Sequence, residues 1–176
     1  MSRRLIFFVP LALLLLFGIV AAWRLSNPTD TTIRSRLEGQ KMPAFALDPA
    51  LDGRPGLSNA DFADGQPKLL NIFGSWCVPC IAEAPVLLEL KNRGVRIEGV
   101  ALRDRPADIA KFLADNGDPY RAIGNDPDSR LQLLLGSSGV PESFVIDGKG
   151  VIRYQHIGPI APQEIATILR ELEQAK

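Results

Sequence analysis

Apolar and polar positions divide the chain into a long apolar start, a short polar stretch and a mixed remainder. Residues 5–23 carry no charge, and as a helix they would span roughly 28 Å, close to the ~30 Å hydrocarbon core of a bilayer. The polar residues that follow, up to residue 40, predict a tether. We therefore predict a membrane anchor over residues 1–24, a tether over residues 25–40 and one folded domain over residues 41–176.

Short apolar runs alternate with helical periodicity along the predicted domain, in the order β-α-β-α-β-α, then a hairpin, then a helix. The predicted strands cover residues 68–73, 95–102, 120–123, 143–146 and 151–155, and the last two flank a turn at residues 147–150. The predicted helices cover residues 77–91, 106–115, 129–135 and 162–174. An edge strand at 42–47 and a second strand or short helix at 57–62 precede them. This order predicts an α/β fold with a mixed central sheet and helices on both faces.

The N-terminal segment also predicts a compartment. Arg3 and Arg4 precede the apolar run and would keep the N-terminus in the cytoplasm, whereas Trp23 and Arg24 suit the opposite membrane interface. The end of the apolar segment, residues 20–24, could also be a signal-peptide cleavage site. The length of the segment fits an uncleaved signal anchor better. We therefore expect a single-pass inner-membrane protein with its domain in the periplasm.

Composition excludes one broad class of function. Twenty basic residues balance twenty acidic residues, and no block of like charge occurs along the chain. Proteins that bind nucleic acid need a positive surface to meet the phosphates. We therefore expect no nucleic-acid partner.

Both cysteines of the chain stand in one short motif, Trp76-Cys77-Val78-Pro79-Cys80, where a predicted strand gives way to a predicted helix. A thiol at the first turn of a helix meets unpaired N–H groups and the positive end of the helix dipole, which favour the thiolate. We therefore predict that Cys77 is an exposed attacking sulfur with a pKa below about 8.5. Cys80 should lie deeper and resolve the mixed disulfide, and Trp76 should shape the surface that meets a partner.

Other roles for the two thiols fit the sequence less well. A structural disulfide closing so small a ring would remove little entropy from the unfolded chain. A zinc site needs more ligands than the chain offers, and a copper site would have to add His156 to the two thiolates. A redox-active disulfide that needs no bound cofactor or metal fits the motif best, with a copper-binding chaperone as the alternative from another class.

Two acidic residues are candidates for tuning the thiols. Glu83 lies one helical turn beyond Cys80, and Glu142 follows Val140 and Pro141 at the start of a predicted strand. A nearby carboxylate raises the pKa of a thiol and can relay its proton. Each could instead be an ordinary solvated side chain, on a helix face for Glu83 and at a strand end for Glu142.

The motif Trp-Cys-x-Pro-Cys, with Pro85 five residues later and Gly-Val-Pro before a late strand, resembles the thioredoxin superfamily. The resemblance runs from about Lys41 to the C-terminus and implies a thioredoxin-like fold. It also implies that Val140-Pro141 is a cis peptide facing Cys77. There the two residues would line the substrate groove.

Within that superfamily the chain is most similar to the membrane-anchored DsbE/CcmG group of cytochrome c maturation. The similar segments are the N-terminal anchor, residues 139–147, residues 150–159 and the turn at residues 117–120. Glu83 and Glu142 match acids of that group, and Asn71 stands where cytosolic thioredoxins have a buried aspartate. The chain departs from the group at residues 136–139, which are Gly-Ser-Ser-Gly, at Ser143 in place of threonine, and at residues 101–104.

The resemblance implies partners as well as chemistry. Electrons would come from a membrane donor of the DsbD/CcdA type and pass to a disulfide of apocytochrome c or of a haem-ligation protein. The alternative within the same chemistry is a general exported reductase of the ResA/TlpA kind. The residues alone leave the reduction potential and the protein client open.

Overall fold

The computed structural model describes residues 5–26 and 37–176, which belong to two compact units. The first unit contains helix α1, Leu5–Ser26, whose large apolar side chains between Val9 and Trp23 are exposed. Within the described part of the chain, no helix meets both the length and the hydropathy needed to cross a bilayer. Residues 1–4 and most of the predicted tether lie outside the described residues, and the predicted domain boundaries stay predictions.

The second unit holds the remaining elements. Strands β1 to β7 cover Ala46–Leu47, Leu57–Ser58, Lys68–Phe73, Ile97–Leu102, Ile123–Asp126, Glu142–Ile146 and Ile152–Ile157. Helices α2 to α5 cover Val78–Asn92, Pro106–Asn116, Arg130–Leu134 and Ile165–Gln174, with 3-10 helices at Asn59–Phe62 and Pro162–Glu164. The predicted order of elements is confirmed from residue 68 onward.

Five strands form a mixed sheet in the order β5-β4-β3-β6-β7. Strands β3, β4 and β5 are parallel, β6 pairs antiparallel with β3, and β7 pairs antiparallel with β6 to form a hairpin. The carboxyl ends of the three parallel strands and the start of β6 therefore meet at one edge of the sheet. The cysteine motif follows β3 directly and lies at that edge.

Strand β3 is buried along its whole length because side chains pack on both faces of the sheet. Leu69 and Phe73 pack with residues of α2, α3 and α5, whereas Leu70 and Ile72 pack on the other side with Leu131, Leu135 and Phe144. Phe73 stacks on Tyr120 with ring centroids 4.7 Å apart and on Phe112 at 5.6 Å. These rings fix the end of β3 from which the cysteine motif departs.

Two local predictions were wrong, each because a contact with another element takes a backbone group that a strand would use. The strand predicted at residues 120–123 is found at Ile123–Asp126, since the Ala122 N–H is donated to the Glu98 side chain. Only residues 46–47 of the predicted edge strand pair with β2, because the Met42 N–H donates a hydrogen bond to the Gly150 carbonyl instead.

Candidate active site

The backbone between β3 and α2 is held by a close approach and by one side chain. A Cβ added to Gly74 would come within 2.7 Å of Trp76 Cε2, so the indole ring requires glycine at residue 74. The Trp76 indole N–H donates to the Leu102 carbonyl at 3.2 Å. Trp76 is thus held at the end of β4, yet it remains 56% exposed beside the cysteines.

Asp104 holds the same loop from the other side. Its carboxylate accepts hydrogen bonds from the Ser75 N–H at 2.5 Å and from the Ser75 hydroxyl at 2.8 Å. This pair was not predicted from the sequence. The signal was available, because Asp104 follows β4 and Ser75 follows β3, and the ends of adjacent parallel strands meet at one edge of a sheet.

Cys77 is the N-cap of α2, and it is joined to Cys80 by a disulfide bond. Its sulfur accepts a hydrogen bond from the Cys80 N–H at 3.2 Å, and its carbonyl accepts from Cys80 and Ile81. Pro79 in the first turn of the helix donates no hydrogen bond, which suits a position where an N–H has no partner within the helix. The sulfur of Cys77 therefore meets the positive end of α2, as predicted.

The predicted exposure of Cys77 is wrong. Cys77 is 4% exposed and Cys80 is 2% exposed, so the two residues hardly differ in access to solvent. The disulfide joins the two sulfurs, and both residues belong to the core cluster against which Val140 packs. The surface of the site is instead formed by Val78, which is 74% exposed, together with Trp76 and Ile81.

Glu83 is buried, so the interpretation as a solvated helix face is wrong. One carboxyl oxygen accepts from the Ile160 N–H at 2.9 Å and the other from Asn71 Nδ2 at 3.2 Å. Burial, which disfavours the charged form, raises the pKa of Glu83 to about 7, against the lowering effect of the two hydrogen bonds. A carboxyl group with this pKa can gain or lose a proton near neutral pH, one helical turn from Cys80.

Asn71 connects Glu83 to two further buried side chains. The Tyr120 hydroxyl donates to Asn71 Oδ1 at 2.8 Å, and Asn71 Nδ2 also donates to Ser143 Oγ at 3.0 Å. Burial raises the pKa of Tyr120 well above its ordinary value, and the negative charge of Glu83 adds to this effect. Tyr120 therefore stays protonated at physiological pH, and its hydroxyl group remains able to donate.

Replacing Glu83 with Gln is expected to change the pH dependence of stability. A carboxyl pKa raised from 4.5 to about 7 stabilises the fold below pH 4.5, and this contribution is lost as the pH rises through 7. The free energy of unfolding of the native chain should therefore fall by roughly 3 kcal/mol relative to Glu83→Gln between pH 4.5 and pH 8. Urea unfolding at a series of pH values measures this difference.

The matched control for that experiment is Glu98→Gln. Glu98 is a second buried carboxyl group whose pKa is raised by burial, on β4 rather than on α2. The control variant should keep the pH dependence that Glu83 causes. A difference between native protein and Glu83→Gln that stays constant with pH would contradict the burial of an ionisable Glu83.

Glu142 is fully buried, and the interpretation as an exposed strand end is wrong. One carboxyl oxygen accepts from the Ser138 N–H and the Ser137 hydroxyl, each at 2.9 Å, and the other accepts from the Gln155 amide. These contacts tie residues 137–138 to β6 and β7. They hold the loop that presents Val140 and Pro141, whose peptide bond is cis, as the resemblance implied.

His156 does not join the cysteines. It lies on β7, and its Nε2 is 3.6 Å from Glu164 Oε2 without a hydrogen-bond partner. Among the side chains that the structure describes, no group of three or more His, Cys, Asp or Glu is placed to hold a metal ion. The arrangement gives no support to the copper-binding alternative.

A groove of about 590 Å³ runs from the cysteine motif towards α3. Trp76, Ile81 and Phe112 contribute its apolar lining, and charged residues of the loop after β4 and of α3 contribute the rest. Four of these charges form two ion pairs, Lys111 with Asp115 at 2.7 Å within α3 and Arg105 with Asp108 at 2.6 Å at its start. The groove therefore combines a few apolar side chains with a mostly charged and polar lining.

Comparison with known proteins gives consistent matches. The family model described as Redoxin matches residues 37–172. The thiol:disulfide interchange protein HelX of Rhodobacter capsulatus is 38% identical, and the match covers 94% of this chain and 93% of HelX. The thiol:disulfide interchange protein DsbE of Pseudomonas fluorescens biotype C is 40% identical, over 90% of this chain and 87% of that protein.

A solved structure supports the same fold. The crystal structure of a putative thiol:disulfide interchange protein DsbE from Chlorobium tepidum superposes with a TM-score of 0.63 at 28% sequence identity. The match covers 78% of this chain and 96% of that chain. The predicted thioredoxin-like α/β fold, with a mixed sheet and helices on both faces, is thereby confirmed.

Proposed function

The chain belongs to the Redoxin family as a DsbE/CcmG-like member of the thioredoxin superfamily, and we propose that it is a membrane-anchored reductant that serves cytochrome c biogenesis outside the cytoplasm. It is a disulfide oxidoreductase with Cys77 and Cys80 as its redox pair. The observation that carries the proposal is the pair itself, with Cys77 as the N-cap of α2 and the buried Glu83 one turn beyond Cys80.

The proposed reaction begins with the reduced pair. The Cys77 thiolate attacks one sulfur of a client disulfide, so that a bond forms between Cys77 and the client while the other client sulfur leaves as a thiolate. Cys80 then attacks Cys77 Sγ, which forms the Cys77–Cys80 bond and releases the second client sulfur. Two electrons pass from the enzyme to the client, and no bound cofactor takes part.

Glu83 is proposed to accept the proton that Cys80 must lose before it attacks. With a pKa of about 7, the carboxyl group exchanges a proton near neutral pH without a large free-energy cost. Glu142 is proposed to act differently from the tuning acid that the sequence predicted. Its oxygens already accept from Ser137, Ser138 and Gln155, so it positions the loop before Pro141.

The client is proposed to dock on the surface around the disulfide. Trp76, Val78 and Ile81 are exposed apolar residues that adjoin the redox pair, and Val140 packs against the cluster that contains both cysteines. A polypeptide that covers these side chains would gain the free energy of apolar burial while its disulfide meets Cys77. Apocytochrome c or a haem-ligation protein is the proposed client.

The membrane anchor and the periplasmic location are parts of the proposal. They are supported by the uncharged residues 5–23, by Arg3 and Arg4 before them, and by Trp23 and Arg24 after them. A redox pair on that side of the membrane needs a supply of electrons from the cytoplasm. A membrane donor of the DsbD/CcdA type is the proposed source.

Deletion of the gene in its native host tests the proposed pathway. We expect loss of haem-bearing c-type cytochromes, rescued by the native chain and not by Cys77→Ala, with haem staining of membrane and periplasmic fractions as the measurement. Glutathione equilibration of the purified chain should also give a reducing potential. Normal haem attachment in the deletion strain, or a potential above about −150 mV, would refute the proposal.

A further inference from the structure

Four buried polar side chains form one connected group beneath the disulfide: Asn71 of β3, Glu83 of α2, Tyr120 before β5 and Ser143 of β6. Their exposed fractions are 0%, 1%, 5% and 1%, so water contributes little to their hydrogen bonding. Asn71 lies at the centre and contacts the other three. The folded state is destabilised whenever a side chain in such a buried polar group lacks a hydrogen-bond partner.

The observed arrangement suits an ionised Glu83. Both of its carboxyl oxygens accept from N–H groups, one from Ile160 and one from Asn71 Nδ2. A protonated Glu83 would carry an O–H donor, and these same neighbours could not accept it. The side chain must nevertheless bind and release a proton if it serves Cys80 as proposed above.

We infer that the Asn71 side chain is a reversible amide switch, which rotates by about 180° when Glu83 takes up a proton. Rotation exchanges the places of Oδ1 and Nδ2. The amide oxygen then accepts from the protonated Glu83 and from the Ser143 hydroxyl, while the amide N–H donates to the Tyr120 hydroxyl oxygen. Three hydrogen bonds within the group form in each state, with donor and acceptor reversed. The rotated state leaves the Tyr120 O–H and one amide N–H without an acceptor among these four side chains, and without rotation the Glu83 O–H would be the unpaired donor.

The chemical types of the partners permit this reversal. Tyr120 and Ser143 carry hydroxyl groups, which can donate or accept, and a carboxyl group does both when it is protonated. An amide presents a donor and an acceptor related by rotation about a single bond. A carboxylate at residue 71 could not do so, because it has no N–H to offer to an ionised Glu83.

The electrostatic surroundings allow Glu83 to change state near neutral pH. The titratable groups that face it are Glu164 of the 3-10 helix Pro162–Glu164 and Tyr120. Cys77 and Cys80, at the start of its own helix, are joined as a disulfide and do not titrate in this state. Glu164 adds to the rise in the pKa of Glu83, and its own carboxylate accepts from the Ala161 N–H at 2.7 Å. Strands β3 and β6 contribute the neutral Asn71 and Ser143.

The inference rests on the proposed role of Glu83, and two substitutions test it with opposite expected signs. In Tyr120→Phe, the ionised state leaves Asn71 Oδ1 without its Tyr120 donor, and the protonated state leaves the rotated amide N–H without an acceptor. An unpaired buried N–H is the less tolerated of the two, so the protonated state is penalised more and the Glu83 titration midpoint should fall by up to roughly one pH unit. In Ser143→Ala, the unrotated N–H loses its acceptor, so the ionised state is penalised and the midpoint should rise by a similar amount.

The measurement is NMR of the full oxidised chain, labelled with ¹³C and ¹⁵N, across the pH range in which Glu83 titrates. The Asn71 side-chain amide resonances should move with the same midpoint as the Glu83 carboxyl carbon. Tyr154→Phe removes the hydroxyl of the other tyrosine and should leave that midpoint unchanged. Asn71 resonances that stay fixed through the titration, or midpoints unchanged in both substitutions, would overturn the inference.

Failure of the inference can be told from failure of the proposed function. The role of Glu83 in exchange is tested separately by the rate of the Cys80 resolving step in Glu83→Gln. If that rate equals the native rate while the Asn71 resonances follow the Glu83 titration, the switch stands and the proposed proton transfer fails. If the rate falls and the resonances stay fixed, the proton transfer stands and the switch fails.

Discussion

Cys77→Ala is expected to abolish thiol–disulfide exchange, with kcat/KM lowered by a factor on the order of 10³ or more. The attacking species is the thiolate, and Cys77 is the residue whose sulfur lies at the N-terminus of α2 and accepts the Cys80 N–H. Cys80 lies within the helix and lacks that position. The measurement is reduction of a disulfide-bonded Cys-x-x-Cys-His peptide by the reduced protein.

The matched control is Val78→Ala, which changes the exposed residue next to Cys77 and keeps both thiols. It should retain exchange, with at most a modest rise in KM for a protein client. Circular dichroism of the Cys77→Ala variant checks that the fold persists without the disulfide. Native rates in a folded Cys77→Ala variant would show that Cys80 is the nucleophile.

Cys80→Ala is expected to trap clients as mixed disulfides. Attack by Cys77 still occurs in this variant, but the sulfur that releases the client is missing, so the intermediate accumulates. Tagged Cys80→Ala expressed in the native host should carry clients on non-reducing gels. Addition of a reductant should free them.

Mass spectrometry of the trapped species identifies the sulfur that holds the client. The account expects Cys77 in every trapped peptide from Cys80→Ala, and little trapped material from Cys77→Ala or from the double variant. Comparable trapping through Cys80 in the Cys77→Ala variant would reverse the assigned roles. The trapped clients also test the proposed pathway, since c-type cytochromes or haem-ligation proteins should be among them.

The sequence predicted the sheet from residue 68 onward because the patterns there are local and consistent. Strand β3 is a short apolar run, and α5 has an apolar stripe at helical spacing that faces the core. The cysteine motif predicted where chemistry occurs for the same reason. Motif spacing and helix position are properties of a few adjacent residues.

Burial of the two acids could not be predicted, since it depends on distant parts of the chain. Glu83 is covered by Ile160, which is 77 residues away in sequence, and Tyr120 reaches Asn71 across 49 residues. The buried carboxylate of Glu142 accepts hydrogen bonds from Ser137 and Ser138. At these two positions the chain differs from the DsbE/CcmG group that it resembles. A pattern of apolar positions records which residues face the core but not which polar groups meet there.

The exposure of Cys77 shows the same limit. Position at a helix start predicted an accessible sulfur, and the structure instead places Cys77 in the core cluster with Cys80. Access for a client is therefore a property of Trp76, Val78 and the loop that carries Val140. The chemical part of the prediction, a sulfur at the positive end of α2, is independent of that exposure.

The start of α2 should make Cys77 the nucleophilic sulfur. In the reduced protein, the pH at which each of the two thiolates forms tests this assignment. Alkylation rates of Cys77 and Cys80, measured by mass spectrometry from pH 4 to 10, give the pH at which each thiolate forms. We expect Cys77 to react first, with a midpoint below about 8.5, and Cys80 to require a higher pH. A Cys77 midpoint at or above about 8.5, or a Cys80 thiolate that forms at lower pH, would contradict it.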